Sequence, residues 1–253
     1  MSAERVIGMV LPGGEARVPQ DAGVLYPDVQ FVPAPLGLQS LTPAGYDAVI
    51  GGVVDRAKSL AAQGVAAIGV SGTSLTFYRG YAFHEELKDS VRAATGLPVT
   101  TMSTGVVEGL RALGVRRVAV GTAYIDEVNA RLRQFLLDSG FEVLALEGLG
   151  LSVFGEPGKV TEDSLRALGQ RVFAAAREAS GSPPDGILIS CGGLRTLGIT
   201  TALEGDCGVP VVSSTPAFLW ATVRLAGHGG QAPGYGRLLA LDAPAAAPAP
   251  SAS

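Results

Sequence analysis

One thiol and one glycine occupy matching places in two similar stretches of this 253-residue chain. Cys191 stands in Ile189-Ser190-Cys191-Gly192-Gly193, at the expected exit of a buried strand, and the matching stretch reads Val70-Ser71-Gly72-Thr73-Ser74. Two thiols facing each other across a cleft can move a proton from one face of a substrate to the other. With Gly72 on one side, only Cys191 can deliver a proton, and the empty side leaves room for a bulkier group. A thiol with a pKa near neutrality gives or takes a proton at carbon, and N–H groups at a helix start lower its pKa. Such a lowered pKa is expected for Cys191. The two glycines that follow let the backbone approach a ligand closely. Cys207, in Gly205-Asp206-Cys207-Gly208-Val209, sits at a helix-to-strand joint and reads as structural.

In parallel α/β folds, ligands bind beyond the carboxyl ends of the strands. Three such ends carry small or polar residues: Ser71-Gly72-Thr73-Ser74, Gly121-Thr122-Ala123-Tyr124 and Ser190-Cys191-Gly192-Gly193. Their N–H groups and the hydroxyls of Thr73, Ser74 and Tyr124 could hold a carboxylate without a metal. They would hold more strongly the enediolate formed when the carbon beside that carboxylate becomes a carbanion. Other chemistries find no support. Gly13-Gly14 lacks the dinucleotide-binding spacing, no Gly-Lys-Ser/Thr phosphate loop occurs, and Gly69-Val70-Ser71-Gly72-Thr73 lacks the final glycine of a nucleophile elbow. His84, beside Glu85 and Glu86, is expected on a solvated helix face, and His228 lies in a glycine-rich loop. No Cys/His/Asp spacing suggests a metal site, and no cofactor is expected.

The elements that must position these residues alternate. Strands are expected near 5–11, 29–33, 66–71, 98–101, 116–121, 142–146, 185–190 and 210–213. Helices are expected near 43–63, 80–95, 104–113, 124–139, 161–179, 195–206 and 215–226, with Thr42 capping the first and Pro43 in its first turn. This is the pattern of parallel sheets covered by helices. The two halves also echo each other. Gly96-Leu97-Pro98-Val99 and Gly208-Val209-Pro210-Val211 lie 112 positions apart, and both run into hydroxyl residues, at 100–104 and 212–215. Ser71 and Ser190 end matching strands 119 positions apart. Duplication of one strand-helix unit is therefore expected. The proposed division is 1–113 plus 215–241 as one α/β domain and 114–214 as the other, with a disordered Ala/Pro/Ser tail at 242–253.

Composition narrows the partners. Net charge is −4, and no Lys/Arg cluster exceeds Arg116-Arg117, so no nucleic-acid footprint is seen. Mean hydropathy is +0.33, yet no apolar run reaches the length of a membrane span. The start, Met1-Ser2-Ala3-Glu4-Arg5, lacks the features of a signal peptide. Two cysteines make no disulfide framework. A cytoplasmic monomer or small homo-oligomer acting on a small carboxylic acid is expected. The residues alone leave open an enzyme that protonates one face of such an acid and a non-catalytic carboxylate binder.

Several long phrases resemble the arylmalonate decarboxylases of the aspartate/glutamate racemase superfamily. They are Gly72-Thr73-Ser74-Leu75, Phe77-Tyr78-Arg79-Gly80, Thr100-Thr101-Met102-Ser103-Thr104, Thr122-Ala123-Tyr124-Ile125-Asp126, Ser190-Cys191-Gly192-Gly193-Leu194 and Pro233-Gly234-Tyr235-Gly236-Arg237. The resemblance implies two pseudo-symmetric parallel-sheet α/β domains with the active site in the cleft between them. It implies cofactor-free decarboxylation of α-aryl and α-aryl-α-methyl malonates, small-molecule dicarboxylates, through an enediolate that Cys191 protonates on one face; a racemase or cis-trans isomerase of another small acid is the alternative within the superfamily. One carboxylate would sit among Thr73, Ser74, Tyr124, Cys191 and Gly192, with Gly72 where racemases of the superfamily carry a second cysteine. The other would enter an apolar pocket lined by Pro12, Leu38, Leu41, Tyr46 and Leu75, and by Phe154 and Pro157 of a central loop. That loop, 150–158, departs from the family pattern, as does Gly13-Gly14-Glu15.

Overall fold

A computed structural model describes residues 6–241; the tail expected at 242–253 lies outside the described residues. The first half runs β1 (Ile7–Leu11), α1 (Gln20–Leu25), β2 (Phe31–Pro35), α2 (Pro43–Ile50), α3 (Val53–Ala61), β3 (Ala67–Val70), α4 (Thr73–Phe77), α5 (Tyr81–Thr95), β4 (Val99–Thr101) and α6 (Met102–Ala112). The second runs β5 (Arg117–Thr122), α7 (Asp126–Asp138), β6 (Glu142–Gly148), α8 (Glu162–Ser180), β7 (Gly186–Ser190), α9 (Thr200–Cys207), β8 (Val211–Ser213) and α10 (Ser214–Leu225). Each half builds a four-stranded parallel sheet, in order β2-β1-β3-β4 and β6-β5-β7-β8. The two orders are the same permutation, as duplication of one unit requires.

The strands form where the sequence is apolar on both faces. β1, β3 and β7 are buried at every position, as expected for parallel strands covered by helices on both sides. β2 is displaced from its expected 29–33 and contains Pro33 and Pro35. Proline cannot donate to a ladder, and β2 is tolerated because it lies at the sheet edge. The single helix expected at 43–63 is two, α2 and α3, interrupted at Gly51-Gly52. Its start is as expected: Thr42 Oγ1 accepts from the Gly45 N–H, and Pro43 fills the first turn. The short α1 and α4 were not foreseen; both fall below the length at which periodicity is legible.

α10 follows the second half's last strand but packs on α6, β3 and β4 of the first. Glycine allows the close approach, since a Cβ at Gly105 would lie 2.7 Å from the Ala217 carbonyl oxygen. The chain therefore closes by laying its last long helix across both halves, with Phe218, Leu219 and Trp220 in the core. Among the described residues, no helix is long and apolar enough to cross a membrane.

Candidate active site

The carboxyl ends of β1, β3 and β7 open on one cavity of about 590 Å³. β3 delivers Gly72, Thr73, Ser74 and Leu75; β7 delivers Cys191 and Gly192; the exit of β1 delivers Pro12. Leu38 and Leu41 enter from the loop after β2, and Phe154 and Pro157 from the loop after β6. Eleven of the thirteen residues singled out from sequence thus meet around one space. Tyr46 and Tyr124 do not line it; both are fully buried behind its wall.

Cys191 is 6% exposed, and burial pushes its thiol up to about 11. The N–H groups of Gly193 and Leu194 and the Tyr124 hydroxyl pull the other way without prevailing. This corrects the lowered pKa expected from sequence. The sulfur does meet N–H donors, but desolvation of the thiolate outweighs them. The group is a thiol at neutral pH, an acid rather than a base.

Gly72 faces a different constraint. Its φ of 101° is a backbone conformation that L-residues rarely adopt, and a Cβ there would lie 3.1 Å from Leu75 Cβ. Behind it a buried hydroxyl network holds α4. Ser103 Oγ donates to the Thr73 carbonyl at 3.0 Å and lies 2.7 Å from Thr76 Oγ1. His84 closes the network, with Nδ1 3.2 Å from the Thr76 carbonyl and Nε2 3.0 Å from Thr104 Oγ1. His84 is 2% exposed, not solvated, and burial, with Lys88 nearby, lowers its pKa to about 4. Glu85 and Glu86 beside it suggested a wet face, but the helical turn at position 84 points inward against Phe135.

The two tyrosines differ. Tyr124 Oη lies 3.3 Å from Ser190 Oγ, and burial, together with the neighbouring Cys191, holds its hydroxyl protonated. The Tyr46 hydroxyl is buried beside Ser74 with no partner that satisfies hydrogen-bond geometry. Its ring packs on Tyr78, whose hydroxyl donates to Asp47 at 2.5 Å. The Phe77-Tyr78-Arg79-Gly80 phrase therefore fixes α2 and the face that carries Tyr46.

Two features of the site escaped the sequence reading. Glu15 and Arg17 stand at the cavity mouth, 3.7 Å apart and largely exposed. Ser214 lies under the floor, where its Oγ accepts from Thr73 Oγ1 at 2.8 Å and from the Cys191 N–H at 3.2 Å. The hydroxyl run at 212–215 was its local signal in the sequence. Among the described residues, no three His, Cys, Asp or Glu side chains group closely enough to hold a metal.

Comparison with known proteins places this geometry. The arylmalonate decarboxylase family model matches residues 7–239. The arylmalonate decarboxylase of Bordetella bronchiseptica is 52% identical over 233 residues, 92% of this chain and 95% of that protein. A crystal structure of arylmalonate decarboxylase superposes with a TM-score of 0.83 at 50% identity, covering 92% of this chain and 98% of the other. The maleate isomerase of Pseudomonas putida S16 shares the fold alone, with a TM-score of 0.83 at 21% identity over 92% of this chain and 97% of that one.

Proposed function

Since the chain belongs to the arylmalonate decarboxylase family, we propose that it removes CO₂ from α-aryl-α-methylmalonates without a cofactor and delivers one enantiomer of the α-arylalkanoate. The observation that carries this reading is the lone thiol, protonated at neutral pH, in the wall of a cavity whose other half offers Gly72.

The roles follow from charge. One substrate carboxylate takes the Ser74 hydroxyl, with N–H groups of the first turn of α4, Thr73 among them, and of Gly192; the Thr73 hydroxyl, whose one proton goes to Ser214 Oγ, orients that turn. The Tyr124 hydroxyl, held protonated by burial, supports this nest from behind. The second carboxylate enters the part of the cavity walled by Pro12, Leu38, Leu41, Leu75, Phe154 and Pro157, with Tyr46 behind it. An ionised carboxylate there lacks hydration, and loss of CO₂ removes the charge. The electron pair left on the α-carbon spreads into the aryl ring and the remaining carboxylate, giving a planar enediolate that the nest stabilises. Cys191 then transfers its S–H proton to that carbon from its own side, and the thiolate recovers a proton from solvent. A thiol raised to about 11 reprotonates readily at neutral pH. It is poorly suited to the proton abstraction a racemase needs. In this reading the walls come from two units, 1–113 with 215–241 and 114–214.

The test is 2-methyl-2-phenylmalonate with metal-free protein, following loss of acid and chirality of the product. Rapid formation of one enantiomer is expected, with activity reduced at least about a thousandfold in Cys191→Ser while the fold persists. A Cys191→Ser variant of undiminished rate would remove the thiol from the proton-transfer step.

A further inference from the structure

The two halves correspond in position at the cleft, and beyond the Cys191–Gly72 and Gly192–Thr73 pairs the relation breaks in polarity at a further pair of positions. Cys191 matches Gly72 and Gly192 matches Thr73, both 119 positions apart. Thr215 matches Ser103, 112 positions apart, and the structure repeats their bonds: Ser103 Oγ donates to the Thr73 carbonyl, Thr215 Oγ1 to the Gly192 carbonyl, each at 3.0 Å. The residue before each of these opens α6 or α10 and reaches across to the opposite half. Met102 packs on Gly192, where an added Cβ would sit 2.9 Å from its Sδ. Ser214 meets Thr73. The same place in the fold is thus filled by a thioether on one side and a hydroxyl on the other, and both are about 1% exposed.

The fold accepts an apolar side chain at this place, because Met102 is one. The Ser214 hydroxyl is therefore not required for packing, and its bonds indicate what it serves. Its Oγ accepts from the Thr73 hydroxyl of one half and from the Cys191 N–H of the other. Both donors are buried, and an unpaired buried donor is costly, so a shared acceptor fixes both. We propose that Ser214 is the positioning residue of the site: its Oγ holds the Thr73 side chain, whose residue opens the carboxylate nest, and ties it to the Cys191 backbone. It thereby sets the proton donor at a fixed place relative to the bound carboxylate. This rests on the decarboxylase reading given above. Positioning of a donor by about an ångström is worth large factors in rate, and here it also governs which face receives the proton.

The experiment compares wild type, Ser214→Ala and Ser214→Thr on 2-methyl-2-phenylmalonate. For Ser214→Ala, a fall in kcat of about tenfold or more, with KM changed less than about threefold, is expected, together with lower enantiomeric purity. Ser214→Thr keeps the Oγ and restores both. Melting temperatures within a few degrees of wild type separate positioning from folding. Unchanged kcat and enantiomeric purity in Ser214→Ala would overturn the inference. So would losses in both variants that merely follow the folded fraction. Should wild type turn over no arylmalonate, the decarboxylase reading fails by itself. Affinity for 2-phenylpropanoate then judges Ser214 separately: a drop of about tenfold in Ser214→Ala, restored in Ser214→Thr, retains it, and equal affinities overturn it.

Discussion

At the scale of single residues, the proposed chemistry turns on what burial does to a thiol. Cys191 has neighbours that favour the thiolate, Gly193, Leu194 and Tyr124, yet desolvation prevails and lifts it to about 11. The consequence is measurable without substrate. In a Cys207→Ala background, which removes the other free thiol, alkylation of Cys191 by iodoacetamide at pH 7.5 should run on the order of a hundredfold or more slower than that of free cysteine. The rate should climb about tenfold per pH unit up to about pH 10. Rapid alkylation at pH 7 with a plateau above pH 8 would mean a low-pKa thiolate, and would return the site to proton abstraction. The position of Cys191 was legible in the sequence, because the strand exit and the Gly-Gly after it are local. The direction of its pKa was not, since desolvation comes from residues far along the chain that close over it. His84 failed for the same reason: its charged neighbours are local, while Thr76, Thr104 and Phe135, which enclose it, are not.

At the scale of elements, the loop between β6 and α8 joins the two halves: Gly150 and Leu151 bond back to Tyr124 and Ala123 of its own half, and the residues after them reach the other. Leu41 N–H donates to the Ser152 carbonyl at 2.7 Å, and Phe154 N–H to the Gln39 carbonyl at 3.1 Å. The loop therefore pairs with the segment after β2 and roofs the cavity. Gly13 completes the arrangement, since a Cβ there would lie 2.9 Å from Phe154 Cζ. Gly13 and Phe154 are thus one feature, a bulky ring accommodated by a missing side chain. Phe154→Ala is expected to open the cavity mouth and raise kcat/KM for malonates with larger aryl groups, naphthyl over phenyl, by about fivefold to tenfold. Gly13→Ala should push the ring aside and shift the same ratio, and the two changes should combine to less than their product, because they act on one contact. Independent effects in a ratio assay of the four proteins would show that Phe154 and Gly13 are not coupled. That this loop crosses the cleft was not legible in the sequence, because two backbone bonds between segments more than a hundred residues apart leave no local pattern. The strands and long helices were legible, since burial on both faces and amphipathic spacing are local signals. β2 was shifted by its prolines, and the helix expected at 43–63 was broken by Gly51-Gly52.

At the scale of the whole molecule, duplication supplies a symmetric frame and substitution at a few places breaks its symmetry. The same sheet order, and the matched bonds of Ser103 and Thr215, show that the frame survives at the cleft. What differs is Cys191 against Gly72, Gly192 against Thr73, and Ser214 against Met102. A molecule so built should reverse its product when the proton donor is moved across the frame. Gly72→Cys with Cys191→Ser is expected to yield predominantly the opposite enantiomer from 2-methyl-2-phenylmalonate, at a lower rate. Here the new side chain meets a φ of 101° and Leu75 Cβ at 3.1 Å. A loss of about 1–2 kcal/mol of stability should accompany the inversion, read as a lower melting temperature. The rate should fall further because the Ser214 link to the Cys191 backbone has no counterpart at Gly72, where Met102 stands instead. Chiral chromatography of the product decides the matter. Inverted handedness places the two positions on opposite faces of one substrate carbon; retained handedness in an active double variant would show that the proton arrives by another route.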